Sequence, residues 1–142
     1  DLPSVQSFHG EDGRAAFLAR SEILVCLLPL TPETEGILDR DLFQALPAGA
    51  YLINAGRGGH QVESDILAAL DSGQLAGATL DVFREEPLPA ASPFWDHPKV
   101  TVTPHNASIT NPQSAVRHVC ESIRRVRAGE PLRNVVDPDL GY

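Results

Sequence analysis

Short apolar runs and amphipathic segments alternate along this chain of 142 residues. Apolar runs that are short and bounded by glycine or proline are typical of parallel strands covered on both faces. Such runs predict four strands, at residues 23–28, 51–53, 76–82 and 99–103, and a less regular one at residues 5–8. Helical spacing of apolar positions predicts helices at residues 11–20, 41–46, 63–71 and 111–128. Because strands alternate with helices, the pattern predicts a doubly wound α/β fold with a parallel, Rossmann-like sheet.

The segment 111–128 carries the clearest helical pattern in the chain. Its apolar residues fall on a single stripe, namely Ala115, Val116, Val119, Cys120, Ile123 and Val126. A capping box of Thr110 with Gln113 is one possible start for this helix. An Asn111 cap followed by Pro112 is the other. The glycine after the last apolar position predicts the end of the helix.

Composition and charge argue against several functions. The net charge is −8, whereas a surface for nucleic acid or an anionic membrane needs clustered Lys and Arg. No apolar run is long enough to span a bilayer, so we expect no membrane segment. The histidines and cysteines form no spacing typical of a metal site, so we expect no metal. Cys26 and Cys120 are interpreted as reduced, buried thiols of a cytoplasmic protein.

A glycine-rich corner follows the predicted strand at residues 51–53. It places Gly56, Gly58 and Gly59 around one cation, Arg57. In open α/β sheets ligands bind at the carboxyl ends of strands, and glycine lets a backbone approach a ligand closely. A fixed arginine offers a planar fork of donors that suits a carboxylate. The corner is therefore a candidate anion site, although a surface turn with a solvated arginine has the same composition.

Two further strand ends carry titratable side chains at the same predicted edge. Asp81 and Glu86 lie at or after the end of the third strand, and His105 follows the fourth. A histidine can act as acid or base near neutral pH, and a neighbouring carboxylate stabilises its imidazolium and fixes its tautomer. An arginine beside both would hold an anionic substrate and polarise its carbonyl group. Each residue alone has an ordinary structural explanation, but their convergence favours a catalytic site.

Four segments carry a resemblance to a known family. They are residues 28–37 (LPLTPETEGI), 53–58 (INAGRG), 80–88 (LDVFREEPL) and 103–105 (TPH). With these segments the chain resembles the D-isomer-specific 2-hydroxyacid dehydrogenases, and the resemblance covers essentially the whole chain. Within that family, the branch that looks most similar is glyoxylate/hydroxypyruvate reductase A, because of Gly59-His60, residues 129–131 and the ending Gly141-Tyr142.

The resemblance implies roles for individual residues. Arg57 would bind the substrate carboxylate and carbonyl oxygen, His105 would donate a proton to that oxygen, and Glu86 would be the partner of the histidine. Asp81 would meet the amide of the nicotinamide. The other cofactor-binding positions would be Pro29, Thr34, Ala55, Gly56 and Ala107. From the residues alone, the hydroxyls of Thr31 and Thr34 suit helix capping as well as contact with a ligand.

The resemblance also implies an activity and its partners. The protein would reduce a small 2-oxo acid, such as glyoxylate or hydroxypyruvate, to the 2-hydroxy acid by hydride transfer from NADH or NADPH. The branch favours NADPH and implies a homodimer for the full-length protein. The alternative is a non-catalytic, cofactor-sensing binding protein, because co-repressors that resemble this family keep the same fold.

One expected motif is absent from the chain. No G-x-G-x-x-G turn follows a strand, although that turn holds the pyrophosphate in dinucleotide-binding folds. With the resemblance, this absence predicts a carboxyl-terminal fragment that is inactive alone, and the residue that separates NAD from NADP would precede Asp1. Residues 1–108 would be the carboxyl-terminal part of the NAD(P)-binding domain. Residues 109–142 would be a helix and tail that pack on a missing substrate domain.

Overall fold

The computed structural model describes residues 5–138. Its strands are β1 (Ile23–Cys26), β2 (Ala50–Asn54), β3 (Leu75–Leu80) and β4 (Val100–Val102). Its helices are α1 (Gly10–Leu18), α2 (Arg40–Gln44), α3 (Glu63–Ser72) and α4 (Pro112–Ala128), and a 3₁₀ turn spans Gly58–His60. Each predicted helix and each of the four main predicted strands is present, with ends that shift by a few residues.

The four strands form one parallel sheet in the order β1-β2-β3-β4. Leu24 pairs with Leu52, Leu52 with Ala78, and Ala78 with Val100, so these side chains share one face of the sheet. Parallel neighbours need a crossover connection, and α2 and α3 lie in the first two crossovers. The predicted α/β class with a parallel, Rossmann-like sheet is confirmed.

The core lies on one face of the sheet. Buried side chains of α1, α2, α3 and the strands form a single cluster that includes Leu18, Leu24, Phe43, Leu52, Ile66, Leu70 and Leu80. On the other face Ile23 is 59% exposed and Val25 is 48% exposed. The prediction of strands covered on both faces is therefore wrong for β1, whose residues alternate between exposed and buried. It is also wrong for β2, where Tyr51 is 52% exposed. Successive strand side chains point to opposite faces, and the described helices bury their side chains in the cluster on one of them.

Two smaller predictions are also wrong. Residues 5–8 form no strand, and the ring of Phe8 instead packs near Phe17 of α1 with centroids 5.9 Å apart. Cys120 is exposed, because α4 buries none of its residues, whereas Cys26 is buried as predicted. Both thiols are free. The ending Gly141-Tyr142 lies outside the described residues.

α4 begins at its asparagine cap. The side-chain oxygen of Asn111 accepts hydrogen bonds from the backbone N–H groups of Gln113 (2.9 Å) and Ser114 (3.3 Å). Of the two possible starts, the structure therefore shows the Asn111 cap with Pro112 as the first helical residue. Gly129 ends the helix with a φ of 70°. Neither α4 nor any other helix in the described part of the chain is long and apolar enough to cross a membrane.

The connection at residues 89–98 returns the chain to β4 without a helix. Its anchor is Phe94, which is buried and lies 6.0 Å from the ring of Phe83. Trp95 is half exposed, and its indole nitrogen donates a hydrogen bond to the carbonyl of Pro89 (2.9 Å). Aromatic side chains thus pin this connection, with Phe94 supplying the buried contact.

Candidate active site

The carboxyl ends of the four strands lie at one edge of the sheet, because all the strands are parallel. The loop after β1 contains Pro29, the corner after β2 contains Arg57, the loop after β3 contains Glu86, and the loop after β4 contains His105. Every candidate residue from the sequence lies in one of these four loops. The fold therefore gathers them along one edge.

Asn54 builds the corner that carries Arg57. Asn54 is the last residue of β2 and is fully buried. Because water does not reach it, its polar side chain bonds to protein groups. Its Oδ1 accepts a hydrogen bond from the N–H of Gly56 (3.0 Å), and its Nδ2 donates to the carbonyl of Arg57 (3.1 Å). The Arg57 guanidinium donates from Nη1 to the carbonyl of Gly56 (2.7 Å). The side chain is exposed at the edge and retains further N–H donors for an anion.

The corner touches the loop that follows β3. A Cβ atom on Gly58 would lie 1.9 Å from both the carbonyl carbon and the carbonyl oxygen of Phe83. No side chain fits at that distance, so only glycine allows the two backbones to meet here. This contact fixes the Arg57 corner beside the loop that carries Glu86.

Glu86 and His105 form a hydrogen-bonded pair. Nδ1 of His105 lies 2.8 Å from Oε2 of Glu86, and Oε1 of Glu86 accepts from the N–H of Phe83 (2.9 Å). The hydrogen bond from His105 is the largest influence and holds the pKa of Glu86 below its usual range. An ionised carboxylate only accepts, so His105 carries a proton on Nδ1, and its Nε2 is the ring atom left for proton transfer.

Asp81 holds the loop that presents His105. The backbone of His105 has a φ of 52°, which is uncommon for a residue with a side chain. The buried Asp81 carboxylate accepts hydrogen bonds from the Thr103 hydroxyl (2.5 Å) and from the N–H groups of Asn106 (3.0 Å) and Ala107 (2.9 Å). Burial opposes ionisation of Asp81, but these hydrogen bonds outweigh it and leave its pKa below the ordinary value. The charged carboxylate therefore stabilises the left-handed backbone beside it.

The positions that the resemblance assigns to the cofactor line the same edge. Thr34 donates from its hydroxyl to the carbonyl of Pro29 (2.7 Å) and accepts from the N–H of Thr31 (2.8 Å), so this hydroxyl closes the turn after β1. Both oxygens of Asp81 accept hydrogen bonds from the loop that carries His105. Direct contact with a cofactor stays a prediction for each of the six positions: Pro29, Thr34, Ala55, Gly56, Asp81 and Ala107.

A cleft of about 710 Å³ opens beside the histidine–carboxylate pair. Its acidic and basic lining residues are Asp81, Glu86 and His105, and the remaining lining is Phe83, Pro87, Leu88, Trp95, Val102, Thr103 and Pro104. Arg57 does not line this cleft. Within residues 5–138 it forms no ion pair, and its side chain donates only to Gly56. The structure thus joins two of the three predicted catalytic residues and places the third on the neighbouring corner.

His60 and Asn54 are the parts of the site that sequence reasoning missed. Both are fully buried. Nδ1 of His60 accepts from the N–H of Arg57 (3.2 Å), and its Nε2 lies 3.2 Å from the carbonyl of Pro29. A polar residue that directly adjoins a buried strand or a glycine corner has to bond to nearby backbone, because burial without a partner is costly. The position of Asn54 at the end of a buried strand and of His60 after the glycine corner is therefore the signal in the sequence that could have identified them.

The edge suits one part of a dinucleotide. Leu28 and Leu30 are exposed beside the Thr34 turn and offer the kind of apolar surface on which a flat ring packs. The neighbouring arginine and histidine–carboxylate pair supply polar groups suited to hydride transfer. The glycine-rich turn for a pyrophosphate is absent from the chain. In the described part of the chain, no group of three or more His, Cys, Asp or Glu side chains could hold a metal ion.

Dinucleotide-binding α/β domains share this plan, in which a parallel sheet carries its ligand loops at the carboxyl edge. The fold and the site place the chain in that class. The family model for the D-isomer specific 2-hydroxyacid dehydrogenase, NAD binding domain, matches residues 6–107. The chain belongs to this family. The predicted resemblance is confirmed, and so is the prediction of NAD or NADP as the type of cofactor.

Individual relatives share both sequence and fold. The chain is 56% identical over 141 residues to glyoxylate/hydroxypyruvate reductase A of Serratia proteamaculans. This match covers 99% of the chain and 45% of the Serratia protein. A D-isomer specific 2-hydroxyacid dehydrogenase of Xanthobacter autotrophicus, solved with NADPH and MES, superposes with a TM-score of 0.90 at 52% identity, covering 95% of this chain and 56% of that one. The NADPH-dependent glyoxylate/hydroxypyruvate reductase of Sinorhizobium meliloti, solved with NADP and sulfate, gives a TM-score of 0.88 at 50% identity, covering 94% and 44%. The chain thus spans about half the length of these relatives.

Proposed function

We propose that the protein containing this chain reduces a small 2-oxo acid, such as glyoxylate or hydroxypyruvate, to the corresponding 2-hydroxy acid with NADPH or NADH. The observation that carries the proposal is the 2.8 Å pair of His105 and Glu86 at the carboxyl edge of the sheet, next to the Arg57 corner. A general acid and an anion-binding cation are the two groups that reduction of a 2-oxo acid requires from the protein.

In this mechanism, Arg57 binds the carboxylate of the substrate and polarises its carbonyl group. The planar guanidinium suits this task because it matches a carboxylate geometrically and keeps its charge. His105 donates a proton from Nε2 to the carbonyl oxygen, while Glu86 stabilises the imidazolium through Nδ1. Asp81 keeps the His105 loop in its left-handed conformation.

When bound, the reduced nicotinamide supplies a hydride to the carbonyl carbon of the substrate. The carbonyl π bond becomes the new O–H bond, whose proton comes from His105, and the products are the 2-hydroxy acid and the oxidised dinucleotide. Pro29, Thr34, Ala55, Gly56, Asp81 and Ala107 would hold the dinucleotide along the sheet edge. NADPH is favoured over NADH, because the Xanthobacter and Sinorhizobium structures contain NADPH and NADP.

We also propose the division of the chain that the sequence predicts. Residues 1–108 would supply the carboxyl-terminal part of the NAD(P)-binding domain, and residues 109–142 would pack on a substrate domain. The exposed apolar side chains of α4 support this division, since a stripe of that kind is normally covered. We further propose that the whole protein is a homodimer and that it lies in the cytoplasm. Light scattering of the purified protein tests the dimer.

Turnover of the whole protein tests the function. Loss of NADPH absorbance should depend on added glyoxylate or hydroxypyruvate, and the product should be the 2-hydroxy acid by chromatography. His105→Asn should remove turnover but leave NADPH binding by calorimetry. If the wild-type protein binds NADPH but turns over neither acid, the cofactor-sensing alternative replaces the enzyme.

A further inference from the structure

His60 lies between the two loops that the proposed reaction uses. It ends the 3₁₀ turn after Arg57, and its side chain is fully buried. Nδ1 lies 3.2 Å from the backbone nitrogen of Arg57, in the substrate corner. Nε2 lies 3.2 Å from the carbonyl oxygen of Pro29, in the loop assigned to the dinucleotide. One ring therefore contacts both loops.

The hydrogen-bond partners of the His60 ring determine which of its nitrogens carries the hydrogen. The backbone N–H of Arg57 can only donate, so Nδ1 of His60 accepts. The carbonyl of Pro29 can only accept, so Nε2 carries the hydrogen. The other neighbour is the Cys26 thiol, whose Sγ lies 3.6 Å from Nδ1 and whose pKa is raised mainly by burial. The thiol is therefore neutral. Of the two ring nitrogens of His60, Nδ1 accepts a hydrogen bond and Nε2 donates one.

The contact with Pro29 continues into the turn after β1. The carbonyl of Pro29 also accepts from the hydroxyl of Thr34 (2.7 Å), which in turn accepts from the N–H of Thr31 (2.8 Å). A chain of hydrogen bonds thus runs from the backbone of Arg57 through the His60 ring to Thr34. The His60 ring at the centre of this chain is fully buried, and linked polar groups strengthen one another where water is excluded.

The ring is not needed merely to keep the two loops together. Backbone hydrogen bonds already join them, from the N–H of Gly36 to the carbonyl of Gly59 (2.9 Å) and from the N–H of Leu38 to the carbonyl of His60 (2.9 Å). What the ring adds is a fixed position for two particular groups, the N–H of Arg57 and the carbonyl of Pro29.

We propose that His60 is a positioning residue with two separable tasks: Nδ1 orients Arg57 for the substrate, and Nε2–H orients the Pro29 loop for the dinucleotide. The inference rests on the proposed function for the identity of the two ligands. The hydrogen bonds on which it depends are properties of this chain alone.

Two substitutions separate the tasks, because each amide mimics one nitrogen of the ring. His60→Asn places an acceptor near the position of Nδ1 and loses the donor to Pro29. His60→Gln places a donor near the position of Nε2 and loses the acceptor for Arg57. His97→Gln is the matched control, since Nδ1 of His97 also accepts a backbone N–H, that of Lys99 (3.2 Å), at the opposite end of the sheet.

The first measurement needs no turnover. Amide hydrogen exchange followed by NMR in the whole protein, without cofactor, should show faster exchange of the Arg57 N–H in His60→Gln. Exchange of this N–H in His60→Asn and in His97→Gln should match the wild type. Equal protection of the Arg57 N–H in all four proteins would overturn the Nδ1 task.

The second set of measurements separates the two ligands. His60→Asn should weaken NADPH binding by roughly 3- to 10-fold in calorimetry, as for the loss of one positioned hydrogen bond, with a smaller change in the KM for glyoxylate. His60→Gln should raise the KM for glyoxylate by roughly the same factor, with a smaller change in NADPH affinity.

If both variants weaken both ligands equally, the ring only fills space and the proposal is wrong. A wild-type protein that fails to turn over any 2-oxo acid would refute the proposed function instead. In that case the exchange of the Arg57 N–H and the NADPH affinities still decide whether His60 has two tasks.

Discussion

Two carboxylates at the sheet edge have different tasks because their surroundings differ. Asp81 is buried and accepts three hydrogen bonds from the loop that carries His105. Glu86 is more exposed and pairs with the His105 ring itself. Both have a lowered pKa, but the hydrogen bonds that cause it come from the loop in one case and from the ring in the other. Asp81 therefore shapes the loop that carries His105, and in the proposed mechanism Glu86 takes part in the proton transfer.

The first prediction concerns the shape of the cation at residue 57. Arg57→Lys keeps the charge but loses the planar fork of donors, so transition-state stabilisation should fall by roughly 2–4 kcal/mol. The readout is kcat/KM for glyoxylate in the whole protein. Retention of near wild-type kcat/KM would exclude Arg57 from the catalytic role.

The second prediction concerns the partner of the acid. Glu86→Gln removes the carboxylate that stabilises the charged His105 ring, so the alkaline limit of the reduction should move to lower pH. Profiles of kcat/KM against pH for the wild type and the variant give the comparison. An unchanged alkaline limit would show that Glu86 only shapes its turn.

The third prediction links Asp81 to acid stability. A carboxyl whose pKa is lower in the folded protein contributes stability above its ordinary pKa of 3.8, and this is lost as the pH falls through the folded value. Asp81→Asn should therefore be about 1–3 kcal/mol less stable at neutral pH, because the amide keeps one acceptor oxygen but places a donor NH₂ group where the second oxygen accepted. The difference should shrink below pH 3.8. Urea unfolding followed by circular dichroism tests this, and a difference that does not depend on pH would contradict it.

At the scale of elements, the site depends on loops that touch at the ends of parallel strands. The 3₁₀ turn Gly58–His60 packs its first glycine directly on the backbone of Phe83, after β3. Its last residue reaches back to Pro29, after β1. The turn after β2 thus contacts the loops on both sides. Small changes in this turn should therefore disturb the whole edge.

A pair of glycine substitutions tests this packing. Gly58→Ala forces a Cβ atom to 1.9 Å from backbone atoms that cannot move freely, so the protein should lose about 1–3 kcal/mol of stability or more. Gly59→Ala is the control, because its Cβ would meet the end of the flexible Leu30 side chain at 2.8 Å. Urea unfolding should show a clearly larger loss for Gly58→Ala, and equal losses would refute the proposed contact.

At the scale of the whole molecule, large apolar surfaces remain open. Ile23 and Val25 of β1 are exposed on one face of the sheet. On α4, the exposed apolar side chains are Val116, Val119, Ile123 and Val126. Contiguous apolar surface of this kind normally marks an interface. Together with the 45% coverage of the Serratia protein, it supports the proposal that the reaction needs more protein than these residues supply.

Residues 1–142 on their own should therefore associate and remain inactive. Sedimentation should show oligomers, calorimetry should show no saturable binding of NADPH at micromolar concentrations, and glyoxylate should cause no loss of NADPH absorbance. The reasons are the open strand edge, the uncovered stripe of α4 and the absent glycine-rich turn for the pyrophosphate. A monomer of these residues that turns over glyoxylate would show that they form a complete enzyme.

The sequence by itself determined the elements and the edge at which chemistry could occur. Apolar runs and their glycine and proline boundaries determine the strands, since burial and turn geometry are local consequences of residue type. Parallel order then places Arg57, Glu86 and His105 at one edge without any knowledge of distances. The catalytic candidates were therefore readable from the chain.

Only the tertiary structure decided which of these residues touch and what holds them. The 2.8 Å contact of His105 with Glu86, the anchoring of the loop by Asp81 and the double contact of His60 each join residues that are distant in sequence. Exposure of β1 and Cys120 was also decided there, because burial depends on which surfaces find a partner. A local pattern shows that a side chain is apolar or polar, whereas its neighbours follow from how the whole chain packs.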